Sequence, residues 1–174
     1  DYTYKICASA AAPPQSLSFA IDYNSITFGN LSPLVRRYAQ PSQYGDGSNS
    51  DVSATNLDVS TNAQYGYVIT VIGDTLKSGS TAIPAMTGPT PNYGTPGTNE
   101  FGINITASGL TTPYNYGQGY IYTADATTTM EIGRMTTGDG VNTTIYVRYM
   151  ANISPSLKPG SYSTVLTYIA TAEY

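Results

Sequence analysis

Histidine and tryptophan are absent from this 174-residue chain, and cysteine occurs once, as Cys7. Without histidine there is no side chain whose ordinary pKa suits general base work near neutral pH. Cys7 therefore has no imidazole partner to activate it as a nucleophile. A lone cysteine also excludes an internal disulfide framework and a cysteine–histidine zinc site. Charge is scarce: 7 Lys and Arg and 11 Asp and Glu make up 10% of the residues, against about a quarter in ordinary soluble domains. The net charge of −4 and the lack of a basic stripe exclude a nucleic-acid partner. Arg36-Arg37, the only adjacent basic pair, reads as solvated surface charge. No apolar run approaches the roughly 18 residues of a membrane-spanning helix, so no membrane insertion of the mature chain is expected. The charged Asp1, with no apolar stretch behind it, reads as a processed N-terminus. No GxSxG motif and no pair of carboxylates flanking a cleft is present. No enzymatic activity and no cofactor are expected.

What is abundant suits strands and turns. The chain holds 17 tyrosines and 17 glycines, with 11 prolines, and is rich in threonine and serine. β-Branched and aromatic residues pack well on pleated surfaces, whereas the usual helix formers are sparse. Strands are expected at Leu17 to Ile21, Ser25 to Leu31, Ala54 to Ser60, Tyr67 to Ile72, Phe101 to Thr106, Thr143 to Ile153 and Tyr162 to Ala172. Leu57 and Val59 should share a face. Tyr67 to Ile72 (YVITVI) is apolar on both faces and reads as a central strand. Ala82 to Met86 and Ile121-Tyr122 are candidates for brief pairing. Thr128 to Met135 is the one weakly helix-compatible stretch, though its threonines and Gly133 disfavour a helix. Lys158-Pro159-Gly160-Ser161 is a turn, expected to join the last two strands as a hairpin. The fold class is all-β: an antiparallel, jelly-roll-like β-sandwich over residues 15–174.

The first fourteen residues, DYTYKICASAAAPP, stand apart. Tyr2, Tyr4, Ile6 and Ala8 alternate with Thr3, Lys5, Cys7 and Ser9, the period of a strand. Pro13-Pro14 then interrupts pairing, because proline has no N–H to donate. Residues 1–14 thus read as a detached strand on a stiff tether. At about 3.3 Å per residue, Tyr2 to Ala10 spans roughly 30 Å, enough to cross a sandwich.

Several constellations invite chemistry. Asp46, Ser48, Asn49 and Asp51 form a weak candidate loop for a cation such as calcium, with oxygen at alternate positions. It lacks the closing glutamate of the EF-hand, and a solvated turn is expected, with no metal. Four sequons, at Asn30, Asn104, Asn142 and Asn152, are candidate N-glycosylation sites. Tyr93, Tyr114, Tyr116, Tyr120 and Tyr122 could stack on sugars or form subunit contacts. With no carboxylate cluster to hold sugar hydroxyls, contacts are expected.

The segments LSFAIDYNSITFGNLSP, VSTNAQYGYVITVIGDTLKSG, IPAM, TPGTNEFGINI and YMANISPSLKPGSYSTVLTYIATAEY follow one another over about residues 16 to 174. Together they resemble a family of secreted surface β-sandwich proteins, similar to the TasA-like and camelysin-like subunits of extracellular fibres. A more distant likeness is to WxL-type cell-wall domains, whose tryptophan motif this chain lacks. The TasA-like resemblance implies an extracellular, cell-surface protein. It implies a structural subunit that polymerises head-to-tail with copies of itself by donor-strand exchange into a pilus-like filament. Tyr2, Tyr4, Ile6 and Ala8 are then the donor positions. The acceptor groove is expected along the central strand and the last strand, at Tyr67, Ile69, Val71, Val165, Tyr168 and Ile169. The alternative is a monomeric cell-surface module: a carbohydrate-binding, S-layer or adhesion domain.

Overall fold

The computed structural model describes residues 13–123 and 125–174. In chain order the strands are β1 (Leu17–Ile21), β2 (Ile26–Thr27), β3 (Arg37–Tyr38), β4 (Gln40–Pro41), β5 (Thr55–Thr61), β6 (Tyr67–Gly73), β7 (Lys77–Ser78), β8 (Thr81–Ala82), β9 (Glu100–Thr106), β10 (Met130–Met135), β11 (Thr143–Asn152) and β12 (Leu166–Ala172). Single 3-10 turns lie at Ser42–Tyr44 and Tyr116–Gln118. The protein is nearly all β, and its strand ladders are antiparallel, as in a sandwich.

The first sheet is built around β11. Its residues Tyr146 and Val147 pair with β5 on one edge and with β9 on the other. Met150 pairs with Gly102 of β9 and with Tyr38 of β3, so β3 continues the edge that β5 begins. β1 adds to the outside of β5, Leu17 opposite Thr61 and Ile21 opposite Leu57. The second sheet runs β10-β6-β12. Between Glu131 and Gly133 the β10–β6 register shifts, leaving Ile132 as a bulge that is itself fully buried.

Alternation along the strands makes the core. Leu57 and Val59 of β5, Ile145 and Val147 of β11, and Ile103 and Ile105 of β9 pack with Tyr67, Ile69 and Val71 of β6 and Met130 and Ile132 of β10. A smaller cluster of Tyr38, Met86, Tyr120 and Met150 covers the other face of β11.

Two expectations from the sequence are corrected. β12 does not form a hairpin with β11; it pairs with β6 in the opposite sheet, Leu166 opposite Gly73 and Ala172 opposite Tyr67. Both edges of β11 are already occupied, so the chain after it has to cross the sandwich. The strand expected over Ser25 to Leu31 shrinks to Ile26–Thr27, because Gly29 turns away with φ 61° and its backbone lies against Asp46. The stretch Thr128 to Met135, where a helix was disfavoured, contains strand β10 at Met130–Met135, whose Gly133 leaves room for the Leu110 side chain.

Leu57 is fully buried between β1, β11 and the facing sheet. Leu57→Ala is expected to lower unfolding free energy by about 2–5 kcal/mol, as buried leucine truncations do, measured by urea denaturation.

Candidate functional site

One side of the sandwich is closed and the other is open. On the closed side, Ile103 of β9 bridges to Ile121, and Arg134 of β10 bridges to Thr111. On the open side stand the outer edges of β1 and β12, which no other described strand pairs. Their burial differs accordingly. The inward residues Leu57, Val59, Ile69 and Val71 of the inner strands are fully buried, whereas Leu17, Phe19, Leu166 and Tyr168 are only half-buried and Ile21 is 42% exposed. Between the two edges lies a groove of about 1110 Å³, larger than the roughly 300–1,000 Å³ of a small-ligand pocket.

The strand register gives the groove its length. Phe19 lies opposite Val59, and Val59 opposite Thr143 of β11. The groove runs from Phe19 to Ile153, beyond the far end of β11. The ten steps from Thr143 to Ile153 correspond to about 33 Å at about 3.3 Å per residue. The walls are Ile21 to Leu31 on one side and Leu157 to Tyr168 on the other, over a floor that includes Leu76, Phe101 and Tyr149. Among the described residues, Lys158 is the one charged residue in this lining.

Two devices hold the walls. At the floor, the hydroxyls of Tyr149 and Tyr168 lie 2.6 Å apart across the sandwich, and the Tyr122 hydroxyl donates to the Gly73 carbonyl at 2.6 Å. Burial pushes the Tyr149, Tyr168, Tyr122 and Tyr116 phenols above their ordinary range, and the Tyr149 neighbour raises Tyr168 further. At the wall, the Arg37 guanidinium donates to the carbonyl of Phe28 at 3.2 Å, to Asn49 Oδ1 at 2.7 Å and to the carbonyl of Asp46. Gly29 and Gly47, at φ 61° and 77°, let the two backbones come close enough for that clamp; a Cβ at either would collide with the other segment. Phe28 and Gly29 line the groove, so Arg37 positions its wall.

The residues singled out from the sequence are distributed as follows. Tyr2, Tyr4, Ile6, Ala8 and Cys7 lie outside the described residues. Of the six acceptor positions, Val165 and Tyr168 line the groove. Tyr67, Ile69 and Val71 are sealed in the core, and Ile169 faces outward from β12. The groove-lining Phe19, Ile21, Phe28, Leu31, Tyr149, Leu157 and Tyr162 were not expected there. Their shared signal is an apolar residue on a strand or loop beside an edge that no other described strand pairs, which only the topology reveals.

Asp46, Ser48, Asn49 and Asp51 do not converge on a vacant centre. Asn49 and the Asp46 carbonyl hold Arg37, Ser48 Oγ accepts from the Ser50 N–H at 2.9 Å, and Asp51 accepts from Tyr120 at 2.7 Å. Among the described residues no acidic or cysteine side chains gather as a metal site. Arg36 and Arg37 are not solvated surface charge: Arg36 donates to the Gly94 carbonyl at 2.9 Å, and Arg37 forms the clamp. Of the sequons, Asn30 and Asn142 are exposed, whereas Asn104 and Asn152 are buried. The Asn104 amide donates to the carbonyls of Tyr116 and Gly119, and the Asn152 amide to Glu100. Neither buried amide has room for a glycan in this fold. Tyr116, Tyr120 and Tyr122 are interior; of that tyrosine set only Tyr93 is well exposed, and Tyr114 is half-buried.

Comparison with family models, curated proteins and solved structures finds no significant match to this chain.

Two outcomes are expected. A folded-state tyrosine pKa raised above its unfolded value of about 10 contributes stability that is complete below that pH and lost as pH rises through and above it. The protein should therefore unfold cooperatively in alkali above about pH 10, with the interior tyrosines ionising only as it unfolds, read as tyrosinate absorbance against circular dichroism. Arg37→Ala should cost roughly 2 kcal/mol, the scale of charge-assisted hydrogen bonds lost, and speed hydrogen exchange in residues 28–31 and 45–50.

Proposed function

We propose that this chain is a structural subunit that assembles end to end by strand donation, the segment around Tyr2 to Ala8 of one copy lying in the open groove of the next. The single observation that carries the reading is the groove itself. It lies between two strand edges that no other described strand pairs, is apolar along its floor, and is about as long as a strand of nine or ten residues. Residues 1–12 precede the first strand of the sandwich and carry the alternating pattern such a groove accepts. Main-chain hydrogen bonds along an edge supply affinity, and alternate side chains filling the groove supply register.

The polarity of the molecule supports donation between copies over filling from within. Leu17, Thr61, Tyr67 and Ala172 gather at one pole. There Asn62 holds the incoming chain, its Nδ2 donating to the Pro14 carbonyl at 3.0 Å and its Oδ1 accepting from the Ser16 N–H at 2.7 Å. The groove extends to the opposite pole, past Ile21 to Ile153. To fill its own groove the leading segment has to reverse at Pro13-Pro14 and retrace β1. A donor leaving one pole and a receptor opening at the other is a heterologous contact that does not close on itself, so it propagates as a filament. It also covers edges that otherwise invite indiscriminate pairing. In this reading the protein is a secreted, cell-surface fibre subunit whose main partner is a copy of itself.

Cys7, the sole cysteine, provides the test in the full chain. A second cysteine is placed in turn at Ser161, Ser163, Val165 and Thr167 along the groove wall. Under mild oxidation at least one position should give a ladder of covalent oligomers on a non-reducing gel. Mixing isotopically labelled and unlabelled chains should place the disulfide between copies. Cross-links confined within single chains, or no cross-link at any of the four positions, would sink the proposal.

A further inference from the structure

We infer that the bodies of successive copies also touch, pole against pole, with Tyr65, Val141 and Tyr174 of one copy packing on Leu34 and Val35 of the next. This inference rests on the strand-donation reading, and it names the second surface that reading requires.

The first pole is built from three loops packed on one another. The Tyr65 N–H donates to the Glu173 carbonyl at 3.1 Å, the Glu173 N–H to the Gly66 carbonyl at 2.9 Å, and the Gly140 N–H to the Thr61 carbonyl at 2.9 Å. Three of the protein's large exposed apolar side chains sit there: Tyr65, Val141 and Tyr174, each more than half exposed, at 54%, 64% and 62%. Exposed apolar residues scattered singly are ordinary, but clustering marks an interaction surface. Pro14 leaves the body at this same pole, held by Asn62. A donated strand therefore brings these loops to whatever lies at the mouth of the receiving groove.

What lies at that mouth is apolar too. Arg37 of β3 is opposite Ala151, so the residues before it run past the far end of β11. A bridge from Ser32 to Val35 closes a tight turn, with Pro33 in the groove lining and Leu34 at its tip, 83% exposed. Charge agrees with the pairing. The first pole carries Asp139 and Glu173, with Arg134 occupied by Glu131 in a two-bond ion pair, and the groove carries the cation Lys158. The surface on each side is continuous with the strand contact, so a second copy is the occupant that satisfies both.

Seeded elongation of the full chain, followed by light scattering, tests this. The exposed-site variant Tyr65→Lys/Tyr174→Lys should elongate at least about tenfold more slowly, because it sets like charge against Lys158 and removes apolar contact. Adding Leu34→Glu to the same chain should restore the rate. Elongation that is unchanged by the two lysines, or slowed without restoration by Leu34→Glu, overturns the pole contact. The Cys7 cross-link to the groove is scored in parallel: if it forms between copies while elongation is insensitive, strand donation stands and only the pole contact fails. If it does not form with native poles, strand donation itself fails.

Discussion

A strand edge carries a row of backbone donors and acceptors that must be paired, wetted or hidden. In this sandwich the arrangement around β11 decides where that obligation is met. β5 and β3 take one edge of the strand and β9 the other. The closing strand β12 is thereby forced onto β6 in the facing sheet, and β1 is left as the last strand of its own. Among the described residues the two edges left without a pairing strand lie on the same side, separated by a groove. The half-burial of Phe19, Leu166 and Tyr168 beside the full burial of Leu57, Val59 and Ile69 follows from that single topological choice.

The groove is held open by polar contacts in an otherwise apolar interior. The Tyr149–Tyr168 hydroxyl pair spans the sheets at the floor, so the two layers are tied beneath the groove. Arg37 does the corresponding job at the wall, using backbone carbonyls and an asparagine as its partners. A chain with so few charges uses these cations internally, as fasteners between loops.

Much of the architecture was legible in the residues. The period-2 runs at Leu17 to Ile21, Ala54 to Ser60 and Phe101 to Thr106 lie at the observed strands within a residue or two. Tyr67 to Ile72 is the middle strand of its sheet, as its apolar faces imply. What alternation cannot encode is which sheet a strand joins. A proline–glycine turn between two strands usually signals a hairpin, yet Lys158 to Ser161 carries the chain across the sandwich. The same blindness applies at Tyr67, Ile69 and Val71: an apolar strand looks the same whether its inward face is open or, as here, sealed. The arginine clamp was hidden as well, because its acceptors are mostly main-chain carbonyls, which leave no trace in side-chain identity.

The placement of β12 carries a consequence for when the groove exists. One wall of the groove comes from β1 and the loop after it, the other from β12 and the loop before it, and β12 follows every other described strand. The two walls are therefore far apart in sequence, and a chain that stops short of Leu166 lacks one of them. The cavity belongs only to the closed sandwich: pairing of β12 with β6 is the step that creates it, and a partly folded state without that pairing leaves β1 with no facing wall.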